Sequence, residues 1–235
     1  MPLETIISDL RQRHDCFDLL CTAWCSEYRQ KAGRVHCSKG CAGCCSLVVN
    51  CTFPEAYLMA QALSLSQKEK LYGGIEAVRR AARGASGLKE WLSAYRDGAG
   101  PCPFLEDDGS CGVYSVRPIS CRSLLSTRPP EWCVADFSLL DSEEKRLFME
   151  SLDRSAVAFP THYAATPQEM GRELEEATLR QMENEYGFAL LGCLPWLVWL
   201  ELEHCLGGRL SGGREGLLKY LEENGLADPY LLVTV

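Results

Sequence analysis

Cys37-Ser38-Lys39-Gly40-Cys41-Ala42-Gly43-Cys44-Cys45 sets four cysteines into nine residues, and Cys102, Cys111, Cys121 and Cys133 follow. A packed core has no use for thiols at such spacing, whereas a glycine-containing loop lets them converge on a metal ion. The chain therefore reads first as a metallothiolate protein. Adjacent side chains in an extended segment point to opposite sides, so one of Cys44 and Cys45 is expected to serve a second site, bridge two irons, or pack. Eight thiols suit two tetrahedral four-cysteine zinc sites, and equally one four-iron cluster with thiols to spare. Sulfur-only donors favour zinc or iron–sulfur over magnesium, calcium or manganese, and iron–sulfur is preferred here.

Working outward, 235 residues, 46% of them hydrophobic, are enough to bury a core without help from metal. Fourteen cysteines invite a disulfide reading, but residues 1–13 hold no apolar stretch long enough for a secretory signal. A reducing cytoplasm, with thiols free, is the expected setting. The longest apolar run, residues 188–200, is shorter than the roughly 20 residues a membrane span requires. A net charge of −8 gives a nucleic-acid partner no support, and Arg79, Arg80 and Arg83 read as a solvated helix face. Residues 1–133 carry 16 Lys+Arg against 14 Asp+Glu, and residues 134–235 carry 8 against 18. The expected organisation is an N-terminal helix with a cysteine-cluster region in 1–133, its core at 34–133. An acidic helical region, 134–235, would pack on it, covering the centre or docking a protein partner.

The patterning predicts a mainly α fold: a helical domain with a small irregular β-hairpin and cysteine-rich metal-binding loops. Leu3, Ile7, Leu10, His14, Phe17, Cys21, Trp24 and Tyr28 recur at steps of four and three, one face of a helix over 3–31 that Gly33 stops. Thr52 before Pro54 and Glu55 opens a helix through Leu65; Ser66 caps one through Arg83, and Ser86 another through Tyr95. Phe104-Leu105 and Gly112-Val113-Tyr114 flank Asp108-Gly109 as a hairpin carrying Cys102 and Cys111. Asp141 with Glu144, and Thr166 with Glu169, have capping-box spacing, and helices follow over 188–206 and 214–224.

The ordered set Cys37-x3-Cys41-x2-Cys44-Cys45, Cys102-Pro103-Phe104-Leu105, Cys111-Gly112-Val113-Tyr114, Arg117-Pro118-x2-Cys121-Arg122 and Cys133 resembles the YkgJ-type cysteine-cluster proteins. That family takes its name from a CxxCxxCC motif; here the first spacing is three residues rather than two. The resemblance covers residues 37–133 and implies zinc or iron–sulfur binding by the eight cysteines. One branch is similar to flagellin lysine N-methylases, which implies, as the alternative, an S-adenosylmethionine-dependent enzyme with an iron–sulfur centre. Around such a centre Arg117 and Arg122 would pair with sulfurs or backbone carbonyls, and Tyr114 would donate to a sulfur.

Other signals point elsewhere. C-x3-C-x2-C is also the spacing of radical S-adenosylmethionine enzymes, but a helix precedes it and no train of βα units follows. Leu210-Ser211-Gly212-Gly213 imitates a transporter ATPase signature without a phosphate loop to accompany it. Cys41-Ala42-Gly43-Cys44 has redox spacing, yet its cysteine neighbours favour metal. His14, Asp18, Cys21 and Cys25 share a helical face that also carries Leu10, Phe17 and Trp24, which favours core packing over a second metal site. Cys16, Cys51, Cys193 and Cys205 read as core or surface thiols, and His36 as the histidine nearest to a metal role.

Overall fold

The chain opens on a 29-residue helix that buries Leu3, Ile6, Ile7, Leu10, His14 and Phe17 along one stripe. The computed structural model describes residues 2–235. Its helices are α1 (Pro2–Gln30), α2 (Phe53–Ala62), α3 (Leu65–Arg83), α4 (Leu88–Gly98), α5 (Ile119–Ser123), α6 (Glu131–Val134), α7 (Ser142–Glu150), α8 (Ala165–Tyr186), α9 (Leu194–His204), α10 (Leu206–Arg209) and α11 (Gly213–Glu223). Three short strands, β1 (Asn50–Thr52), β2 (Leu190–Cys193) and β3 (Leu232–Thr234), form one antiparallel sheet in the order β1-β2-β3. The fold is mainly helical, as the patterning predicts.

The helix ends correct several boundaries. α1 stops at Gln30 because Ala32, not Gly33, turns left-handed at φ 63°. Gly33 is needed for space: a Cβ there would lie 2.4 Å from the Tyr28 ring. α2 ends three residues early, since Ser64 rather than Ser66 caps α3; its hydroxyl accepts from Gln67 N–H and Gln67 Oε1 accepts from Ser64 N–H at 3.0 Å. The Asp141–Glu144 box closes reciprocally at 2.9 and 2.8 Å. The Thr166–Glu169 box does not form, because α8 has already begun at Ala165. Leu105 and Cys111 meet in a single bridge around the Gly109 turn, so the expected hairpin shrinks to a closed turn.

The largest departure lies at 188–206. Leu190-Leu191-Gly192-Cys193 is the central strand, flanked on both edges and so apolar throughout, a pattern that does not separate strand from buried helix. Pro195 then sits in the first turn of α9. Gly192 has no Cβ because the Leu231 carbonyl oxygen would lie 2.3 Å from it. Among the described residues no helix is long and apolar enough to cross a membrane.

One core draws on both parts of the chain: α1 packs on α8 and α2, and α2 on α9, with Trp196, Phe17, Phe53, Phe104 and Phe188 fully buried. A satellite of Phe148, Leu152 and Val157, with Trp132 and Met149 against it, covers the other side of the cysteine loops.

Between α1, α2 and α5 lies a polar junction. Glu55, fully buried, accepts from Thr52 N–H and Oγ1 at 2.8 Å and from Ile119 N–H at 2.7 Å, with His14 Nε2 at 3.6 Å. Burial opposes its charge, but His14 and the Ile119 and Thr52 amides outweigh burial and hold the carboxyl below its ordinary value. Burial and then the Glu55 charge push nearby Glu175 up to about 8.

Two outcomes follow for stability. Glu55→Ala strands two buried amides and is expected to cost about 3 kcal/mol in urea denaturation; an unchanged midpoint contradicts the junction's role. Glu175, raised from 4.5 to about 8, stabilises the fold in its protonated form below pH 4.5 and loses that contribution as pH rises through about 8. Glu175→Gln should therefore gain on the parent protein between pH 5 and 8, and parallel pH profiles would refute this.

Candidate metal centre

Backbone contacts that only glycine permits bring the cysteine loops together. Gly40 and Gly109 both take left-handed φ, and the Gly40 carbonyl oxygen lies 2.8 Å from where a Cβ on Gly109 would be. The 37–41 loop thus rests on the turn before Cys111. A Cβ on Gly43 would lie 3.1 Å from Cys133 Cβ and from the Pro130 carbonyl oxygen, so α6 can press onto the Gly43–Ser46 turn. Cys102 N–H donates to the Cys45 carbonyl at 2.8 Å and ties the third loop to the first.

Cys121 comes from α5, whose N-terminus is fixed by Glu55 through Ile119 N–H. The next residue, Arg122, is buried and donates to the carbonyls of Arg117 (2.8 Å) and Ser115 (2.7 Å), and also to Asp18 on α1. It pairs with carbonyls, as expected, and pins the loop after Cys111 to the first helix. Arg117 stacks on Tyr114, 3.9 Å from the ring centroid, and donates to its hydroxyl at 3.2 Å. Tyr114 therefore serves the guanidinium rather than a sulfur.

All eight cysteines reach this neighbourhood. Cys41, Cys44, Cys45, Cys102, Cys111 and Cys121 line a cavity of about 580 Å³, and Cys37 and Cys133 stand outside its wall. Residues 43–46 form a 3-10 turn instead of an extended segment, and the neighbouring Cys45 side chain is the first cause that raises the Cys44 thiol. The sulfurs fall into two neighbourhoods that share Cys44: Cys37 and Cys133 sense each other's side through Cys41, while Cys102, Cys111 and Cys121 sense one another. Among the described residues no three His, Cys, Asp or Glu side chains close on a point that would hold a single ion. All fourteen thiols are free.

Burial is the leading cause that raises these thiols: Cys37 to about 11 and Cys102 to about 12, with neighbouring sulfurs adding to both. Cys111, Cys121 and Cys133 are raised for the same first reason, and Cys44 first by its contact with Cys45. These six thiols are thus held in their protonated form, and a cation must expel those protons to bind them. Arg117 lowers Cys44, Cys111 and Cys121, and its Nε is buried with no hydrogen-bond partner. A positive charge facing sulfurs and unmatched by a carboxylate fits a thiolate-rich, net-negative metal group.

The other candidates lie elsewhere. His14 and Asp18 are engaged by Glu55 and Arg122, and Cys21 packs at the edge of the core. His36 lines a polar groove with Arg34, Arg128 and Asp153, away from the thiols. Cys51 and Cys193 are buried in β1 and β2, and Cys16 and Cys205 are exposed. The histidine that does reach a sulfur is His162, whose Nε2 is 3.4 Å from Cys133 Sγ. Burial and then Arg128 push it down to about 4, so the ring is neutral. Nothing near residue 162 marks it; its position depends on a loop that returns to Ser126 through the Ser126–Tyr163 bridge.

Comparison with known families places this geometry. The match is to the CxxCxxCC family model, described as "Putative zinc- or iron-chelating domain", over residues 36–145. The comparison with curated proteins found no match, and neither did that with solved structures. The stretch of this chain that matches the CxxCxxCC family model, residues 36–145, holds all eight clustered cysteines.

Proposed function

We propose that residues 34–133 hold a thiolate-ligated metal centre, with ligands drawn from Cys37, Cys41, Cys44, Cys45, Cys102, Cys111, Cys121 and Cys133, and that an iron–sulfur cluster is preferred over zinc. The observation that supports the preference is the cavity of about 580 Å³ lined by six of the thiols. A single zinc ion wants its four sulfurs within about 3.8 Å of one another, whereas a cluster spreads its ligands around its own volume. Such a group, when bound, supplies a rigid cross-link between distant loops and a site for one-electron transfer.

The chain's own residues have the remaining work. Arg117 screens the charge of the thiolates, Ser126 N–H donates to Cys37 Sγ at 3.2 Å, and Met59, Phe104 and Leu194 give the cavity an apolar wall beside the sulfurs. The role that fits is structural or electron-transferring, in a reducing compartment, with the acidic 134–235 region available to a protein partner. The cavity exceeds what a metal ion fills and lies within the range of small-molecule sites, which favours a second reading: an enzyme that binds S-adenosylmethionine beside the cluster.

Protein prepared without oxygen is expected to contain iron and inorganic sulfide and to show broad visible absorption that bleaches on reduction. Cys121→Ser should lose most of the metal while Cys16→Ser keeps it. A colourless zinc protein overturns the iron preference, and a metal-free wild type overturns the centre. For the second reading, calorimetric titration with S-adenosylmethionine should saturate; a flat trace removes it.

A further inference from the structure

We propose that His162 is a positioning residue of the centre: it donates a hydrogen bond from Nε2 to the Cys133 sulfur and so sets how firmly that thiolate holds metal. The inference rests on the metallothiolate reading above and adds to it a residue outside the 36–145 match. Three observations carry it.

The first is the contact itself, 3.4 Å between Nε2 and Sγ, with His162 5% exposed and Cys133 8% exposed. The second is how the ring is held. The His162 carbonyl accepts from both Thr127 N–H (3.0 Å) and Thr127 Oγ1 (2.9 Å), and the ring packs edge-on to Phe148 at 5.9 Å and against Tyr163 at 4.2 Å. A surface histidine resting on a sulfur by accident would have no such seat. The third is proton bookkeeping. In the metal-free chain either partner can donate, but a metal-bound thiolate has no proton, so the hydrogen bond then runs from Nε2–H to sulfur. The Tyr163 and Ser126 side chains lie near enough to Cys133 to offset part of the rise that burial imposes on its thiol. Donors to a ligating sulfur take up part of its negative charge, which tunes metal affinity and, for iron, raises the reduction potential.

The test uses full-length protein prepared without oxygen, as wild type, His162→Phe and His162→Gln, with metal content and chelator competition measured for each. Phenylalanine fills the seat without a donor, and glutamine restores an N–H. His162→Phe is expected to release metal to the chelator roughly 10–100-fold more readily, with His162→Gln within a few-fold of wild type. If the metal is iron, the midpoint potential should fall in His162→Phe and recover in His162→Gln. Equal affinity in all three overturns the inference, as does a glutamine variant as impaired as phenylalanine, since that pattern reports only a lost shape. A wild type without metal would instead sink the metallothiolate reading itself.

Discussion

A fully buried carboxylate holds the frame on which the cysteine loops hang. The Glu55 carboxylate accepts from Thr52 N–H at the start of α2 and from Ile119 N–H at the start of α5, so two helices that are far apart in sequence begin at one point. An ion in that position is costly unless every lone pair is used, and here amides, a hydroxyl and His14 surround it. Because Cys121 and Arg122 ride on α5, the carboxylate fixes where one sulfur and the pin of the 115–117 loop lie.

On that frame the sulfurs are brought together by close backbone approach and not by side-chain attraction. Gly40 against Gly109 and Gly43 against Cys133 are contacts that any Cβ would push apart. The result is a group of thiols that burial keeps neutral, beside a guanidinium with no carboxylate to answer it. Burial makes thiolate formation unfavourable and Arg117 makes it less so. The balance is one that an added cation would tip, which is the electrostatic ground for the proposed metal centre.

Much of this was legible in the residues, and the exceptions share a cause. The helix over the first thirty residues, the helix start at Thr52, the Asp141–Glu144 box and the role of Arg122 as a carbonyl partner are local or nearly local patterns, and they hold. The second half of Glu55's work, Ile119 N–H, lies 64 residues away and leaves no trace in a window. The strand at 190–193 was hidden because a central strand and a buried helix are both apolar throughout. Cys44 and Cys45 were expected to diverge on the premise of extended backbone; a 3-10 turn replaced it. His36 had sequence adjacency to Cys37 and no contact with the sulfurs, while His162 had the contact and no adjacency.

The small aromatic satellite of Trp132, Phe137, Phe148 and His162 has too little apolar area to stand alone. The Ser126–Tyr163 bridge closes it on itself, and it meets the main body through the hydrogen bond from His36 N–H to the Ser126 carbonyl and the seating of α6 on Gly43. Since Cys133 belongs to α6 and Cys37 and Cys41 to the body, whatever joins those sulfurs also fastens the satellite, and whatever parts them frees it. The order of segment 125–164 is thus coupled to the sulfurs it carries, since a small cluster with few apolar contacts opens more readily than the main core.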